Sequence, residues 1–345
     1  MPPSKPKADC RVAEKCQRLK GCHAALMEKT VHAHERFFLC PKSVMIRRNG
    51  HATPPTTVKK TREQDLIMKI HHLNCGSVCP SCQRLMQGRG GWLEPAQMCC
   101  HCLLIEDENG LVLVDTGFGV QDVTHAQSLG AGFLAVMRPK LDLAETALRQ
   151  VQALGYSPSD VQHIVVTHLD LDHAGGLPDF PKARVHVLQQ EHDAALNPKT
   201  IPERSRYRAH QFAHRPRWHT YQPTDQTWYG FSGVREVAGI DRTILLVPLL
   251  GHTQGHCGIA VQDGDGWLLH VGDLYFDRRS LQGQAPTLMQ LSERLMAHDN
   301  AQRLANVARV EQLRRDQGRF IDIFCAHDPL ELAQMQAKRQ SVTVV

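Results

Sequence analysis

THLDLDHAGG, residues 167–176, decides how the rest of this 345-residue chain is read. It follows HIVV at 163–166, a short run of strand-forming residues. Just beyond that run the loop offers His168, Asp170, Asp172 and His173. Imidazoles and carboxylates at alternating positions point into one pocket, a donor set suited to two divalent cations. Gly175 and Gly176 let the backbone turn tightly beneath them. A solvated surface loop also contains His and Asp, so the stretch gains its meaning from three others: GHTQGH at 251–256, VGDLYF at 271–276 and CAHD at 325–328. Each ends a strand-like segment. His252, Asp273 and His327 are therefore expected to converge with the first loop on one rim of a sheet.

Working outward, MKIHHL at 68–73 reads as an opening strand. CLLIED and LVLVDTG, separated by Glu108-Asn109-Gly110, read as a hairpin. Apolar residues at Leu141, Ala144, Leu148, Val151 and Leu154 recur at helical spacing and stop at Gly155, which predicts a helix over 141–154. ARVHVL is a strand leading into a helical QQEHDAAL. TILLVPLL, GIAVQD and WLLHVGD are three more strands. A long helical region at 287–317 precedes a final strand in RFIDIFCAHD. This alternation suits a layered α+β domain.

Charge divides the chain in two. Residues 1–67 hold 14 Lys and Arg against 6 Asp and Glu, whereas the remainder holds 26 against 29. The head is thus a basic extension, read as unstructured or as sequence preceding a natural start at Met68. Residues 68–345 form the folded domain. That body is slightly acidic, which gives no reason to expect nucleic acid as partner. No apolar run is long enough to cross a bilayer, and the N-terminus lacks the apolar stretch of a secretory signal. The expectation is a cytoplasmic protein acting on a small molecule, with no membrane partner.

With these four motifs in this order, residues 68–330 resemble the metallo-β-lactamase superfamily, in particular its glyoxalase-II-like and acyl-homoserine-lactonase-like branch. The DTG at 115–117, after an early strand, is part of the likeness. The resemblance implies a four-layer αββα sandwich and a dinuclear hydrolase that cleaves an ester, lactone or thioester with a hydroxide shared by two metals. It implies that His168, Asp170 and His252 hold the first metal, that Asp172, His173 and His327 hold the second, and that Asp273 bridges them. Asp115 would orient an imidazole from behind. Asp172 would orient the hydroxide and help protonate the leaving group. Tyr275, two residues after Asp273, is a candidate donor to the developing oxyanion, with simple packing as the competing role.

One position departs from the pattern. Hydrolases of the superfamily mostly read HxHxDH here, and this chain has Asp170 in place of the second histidine. An added carboxylate makes the first site harder, favouring iron or manganese over what three imidazoles would favour. Zinc is kept as the first expectation, with iron and manganese open. The rival reading is a non-haem iron oxidoreductase related to flavodiiron proteins or persulfide dioxygenases.

Three further features complete the reading. Cys79, Cys82, Cys99, Cys100 and Cys102 could form a structural zinc site, although uneven spacing favours buried thiols. His256 reads as a supporting hydrogen-bonder more than a ligand, and His270 as structural. Residues 197–243 are rich in aromatic and basic side chains, including Arg204, Arg206, Arg208, Arg215, Arg217, Tyr207, Phe212, Trp218 and Tyr221. They read as an insert that walls the substrate pocket or forms a homodimer contact.

Overall fold

The hairpin read from CLLIED and LVLVDTG anchors the first sheet: β2 (Met98–Asp107) and β3 (Gly110–Val114) pair antiparallel, with Leu103 opposite Val114. The structure, a computed structural model, describes residues 69–343. The basic extension 1–67 lies outside the described residues. β1 (Ile70–Val78) joins β2 antiparallel. On the other side β4 (Val161–Val165), β5 (Arg184–Leu188) and β6 (Arg217–Tyr221) add in parallel, for the order β1-β2-β3-β4-β5-β6.

A two-stranded ribbon, β7 (Thr227–Trp228) with β8 (Phe231–Ser232), precedes the second sheet. That sheet contains β9 (Arg235–Glu236), β10 (Ile244–Pro248), β11 (Cys257–Asp263), β12 (Gly266–His270) and β13 (Ile321–Phe324), in the order β13-β12-β11-β10-β9. β12 and β13 run parallel and the other pairs antiparallel.

Strand residues alternate between faces, and the apolar ones sort accordingly. Leu103, Ile105, Val112 and Val114 pack between the sheets against Ile244, Leu246, Ile259, Val261 and Phe324. Their neighbours Cys102, Leu104, Leu111 and Leu113 face the other way, onto Ala147 and Val151 of the helix Ala147–Ala153. The outer face of the second sheet is covered by Val307, Val310 and Leu313 of the helix Asn300–Gln317. Helix, sheet, sheet and helix are the four expected layers.

Two helices differ from their sequence reading, and both differences are capping effects. Leu143–Glu145 is a 3₁₀ turn, because the Thr146 hydroxyl accepts from Arg149 N and starts the α-helix there. The 287–317 region breaks into Thr287–Met296 and Asn300–Gln317, with Asp299 accepting from Gln302 N at 3.0 Å. The segment 197–243 is less of an insertion than its composition suggests, since it supplies β6 to one sheet and β9 to the other. Among the described residues no helix is long and apolar enough to cross a membrane.

For the site, the decisive feature is direction. β3, β4, β10, β12 and β13 all run the same way within their sheets, and the segments at their C-terminal ends carry Asp115, residues 168–173, His252, Asp273 and His327.

Candidate metal centre

Two groups of ligand atoms form at that rim, each gathered within 4.8 Å: His168, Asp170, His252 and Asp273 in one, His173, Asp273 and His327 in the other. Asp273 belongs to both. Its Oδ2 lies 3.2 Å from His327 Nε2, 3.4 Å from His252 Nε2 and 3.7 Å from His168 Nε2, while its Oδ1 lies 3.1 Å from both His173 Nε2 and His327 Nε2. Asp170 Oδ2 lies 3.0 Å from His252 Nε2. Asp172 Oδ2, nearer the surface, is 3.7 Å from His327 Nε2. The structure thus brings together all seven residues that the motifs nominated.

Three of the four imidazoles are aimed by their second nitrogens. His173 Nδ1 is 2.9 Å from Asp115 Oδ2, and His327 Nδ1 is 2.8 Å from the Cys99 carbonyl. His168 Nδ1 is 2.9 Å from the Thr167 hydroxyl. Each arrangement turns Nε2 inward. Asp115, expected to orient an imidazole, does so, and also accepts from Thr167 N at 2.7 Å. Its φ is +55°, a left-handed conformation that Asp tolerates better than most residues. At the adjacent Gly117, also left-handed, a Cβ would lie 2.0 Å from the Cys75 carbonyl oxygen, so only glycine fits.

Electrostatics follow from burial opposed by opposite charges. Burial pushes Asp273 up, but His327, His173 and His252 outweigh it and hold the carboxylate well below its usual range. Burial likewise opposes charge on His173, where Asp273 and Asp115 prevail and raise it. The donor set fits divalent cations on a separate count. His168 Nε2, Asp170 Oδ1, His173 Nε2 and Asp273 Oδ1 are buried and make no hydrogen bond. Four such atoms converging on one space would be costly unless a cation satisfied them.

The weaker candidates separate cleanly. His256 is a supporting residue: its Nδ1 meets the Leu249 carbonyl, and Asp273 N donates to its Nε2 at 3.0 Å. His270 is structural, bonded to the His101 carbonyl. The five cysteines form no cluster of their own. Instead Cys100 alone groups with Asp172 and His327. Of the nine residues singled out in 197–243, Arg206 reaches the ligands. Tyr221 hydrogen-bonds His186, while Phe212 and Trp218 pack on the core.

Tyr275 needs correction. It is fully buried among Leu274, Val310 and Cys325, and its hydroxyl pairs with Glu331 at 3.2 Å. Gly272 turns the chain at φ +53°, so the side chain two positions past Asp273 enters the core beneath the second sheet instead of the site. Tyr275 is a packing residue. Its partner has a measurable consequence, because burial pushes Glu331 from 4.5 up to about 8. The folded protein keeps this proton where the unfolded chain has released it, so the group lowers stability as pH rises from about 4.5 to about 8. Glu331→Gln removes that dependence. The melting temperature of the variant relative to the parent should climb between pH 5 and 8.5, by several degrees in total (about 1–3 kcal/mol). A constant offset across that range would contradict the assignment.

The family model described as the metallo-beta-lactamase superfamily matches residues 99–305. The chain belongs to this superfamily. A probable metallo-hydrolase of Mycobacterium tuberculosis is 42% identical over 264 residues, spanning 76% of this chain and 81% of its own. An N-acyl homoserine lactonase of Rhizobium radiobacter is 28% identical over 159 residues, 46% of this chain and 58% of that one. Among solved structures, an N-acyl homoserine lactone hydrolase superposes with a TM-score of 0.59 at 21% identity, covering 78% of this chain and 96% of that one. Together with the likeness to a metallo-hydrolase along most of both chains, membership supports a metal-dependent hydrolase. It also accounts for the sandwich and for the rim on which the His and Asp side chains gather.

The sequence reading missed Glu191, because a single Glu in the helix Gln189–Leu196 carries no local signature. Its Oε1 accepts from Leu169 N at 2.9 Å, and its Oε2 accepts from Gly255 N and the Thr253 hydroxyl. One carboxylate thereby ties together the loops bearing His168 and His252.

Proposed function

We propose that this metallo-hydrolase opens a small ester, lactone or thioester with two metal ions, zinc first and iron or manganese as alternatives. What supports the reading is the place of Asp273, whose carboxylate lies within 3.1–3.7 Å of the Nε2 atoms of His168, His173, His252 and His327. His168, Asp170 and His252 would hold one ion, Asp172, His173 and His327 the other, with Asp273 shared. When bound, such a pair supplies an acidified water and polarises a carbonyl.

The remaining work falls to the chain. Asp172, at the outer edge of the ligand set, is placed to take a proton at its carboxylate and return it to the leaving oxygen or sulfur. Beside His327 opens a cavity of about 170 Å³, lined by Met98, Phe276, Met289 and Leu330 on its apolar side and by Arg89 and Arg278 on its polar side. That lining suits a small acyl substrate with a polar end. The distant likeness to N-acyl homoserine lactonases favours lactones as the first substrates to try.

Purified protein should contain close to two metals per chain by elemental analysis and turn over at least one member of a lactone, ester and thioester panel. Oxygen or persulfide consumption with no hydrolysis on the panel would overturn the proposal. Asp172→Asn should lower kcat on the order of 10²-fold. Its metal content should stay within about twofold of the parent, because the other six side chains remain. Full turnover in this variant would remove Asp172 from the proton path.

A further inference from the structure

We infer that Arg206 is the charge partner of Asp170 and thereby sets which metal the first site prefers. The inference rests on the ligand set proposed above.

Arg206 ends the helix Ile201–Arg206, far in sequence from the motif it serves. Its Nη1 lies 2.8 Å from Asp170 Oδ2 and 3.1 Å from His252 Nε2, and its Nη2 donates to the Met296 carbonyl. The side chain is 14% exposed, so the guanidinium is held among protein groups and is poorly screened by water. Two of the four donors in the first group therefore touch one fixed cation.

Two consequences follow from charge alone. A site with His168, His252, Asp170 and Asp273 carries two carboxylates, and Arg206 cancels one of them. The hardness that Asp170 would confer on the site is offset by a residue delivered from another part of the chain. In addition, the guanidinium repels a dication a few ångströms away and competes with it for the His252 lone pair. Asp170 and Arg206 thus act together as a neutral unit where the superfamily pattern has a neutral histidine. Either change alone should unbalance the site, and the two together should restore it.

A double-mutant cycle read by chelator competition, with zinc or manganese as the only added ligand, tests this without recourse to turnover. Arg206→Met should raise first-site affinity for both ions by about tenfold or more and shift the manganese-to-zinc ratio toward manganese. Asp170→His leaves the guanidinium facing the ion without its acceptor, so zinc affinity should fall by about tenfold or more. The double variant should return zinc affinity to within about threefold of the parent. Arg206→Lys, which keeps charge but loses the fork, should fall between parent and Arg206→Met. Circular dichroism on each protein establishes that the comparison is made between folded states, and Arg206→Gln replaces Arg206→Met should the latter fail to fold. A double variant that binds zinc as weakly as Asp170→His, or an Arg206→Met variant within about twofold of the parent for both ions, would overturn the inference and leave Arg206 as a packing residue. Unchanged zinc binding in His168→Ala and His252→Ala would instead overturn the ligand set itself.

Discussion

Asp273→Ala should lose most of its metal and fall by at least about 10³-fold in kcat/KM, the largest activity effect expected of any single change in this chain. The reason lies in the sharing of one side chain. Its carboxylate faces His252, His168, His173 and His327, and no other residue enters both ligand groups. Deleting the carboxylate takes an anionic ligand from each proposed ion at once, leaving His168, His252 and Asp170 in the first group and only His173 and His327 in the second. The remaining set carries one negative charge fewer and attracts a dication far less strongly. Asp273→Asn keeps the shape while removing the charge, and should lie between the parent and the alanine variant in metal content. Elemental analysis beside turnover on the panel gives both readouts. Two retained metals with turnover above about a tenth of the parent's would end the bridging model.

The seven residues that gather at the rim were legible because each belongs to a short local pattern. A strand, then a bend, then His or Asp is a statement about neighbouring residues, and β4, β10, β12 and β13 fall where the apolar runs put them. QQEHDAAL is the helix Gln189–Leu196 to the residue. What escaped was set at long range. Tyr275 looked like a site residue by offset from Asp273, but the turn at Gly272 sends it into the core. Arg206 looked like one of several arginines in a basic stretch. Its neighbours Arg204, Arg208 and Arg217 bond to backbone carbonyls, and nothing local marks Arg206 as the one that crosses to Asp170. A carboxylate at 170 adds negative charge, and Arg206 Nη1, 2.8 Å from its Oδ2, brings the opposite charge beside it. Cys100 was read with its neighbouring cysteines. On a strand, however, Cys99 and Cys100 face opposite ways, and Cys100 alone meets Asp172 and His327.

Glu191→Ala should be the most destabilising of the changes considered, although Glu191 is not among the ligands. The side chain is fully buried and accepts from four donors: Leu169 N, Gly255 N, and the hydroxyls of Thr253 and Tyr207. Its loop contacts are backbone to backbone as well, since a Cβ on Gly255 would lie 2.2 Å from Glu191 N. Alanine strands all four donors. At about 1–3 kcal/mol for each buried unpaired group, and with water entering to relieve some of them, a loss of about 3–5 kcal/mol is expected. That is a large share of the roughly 5–15 kcal/mol that holds a typical domain together, so this variant is expected to be recovered only in part as folded protein. Glu191→Gln is the more informative companion. It retains one acceptor oxygen, sets an amide against the remaining donors, and should cost about 1–3 kcal/mol while preserving the fold. Leu169 adjoins His168 and Thr253 adjoins His252, so loosening the tie should let both imidazoles drift. Zinc affinity at the first site should then fall by about tenfold, as for other groups that orient ligands without binding metal. A Gln variant that melts within a degree or two of the parent and binds zinc equally well would show that the two loops hold their positions without this carboxylate.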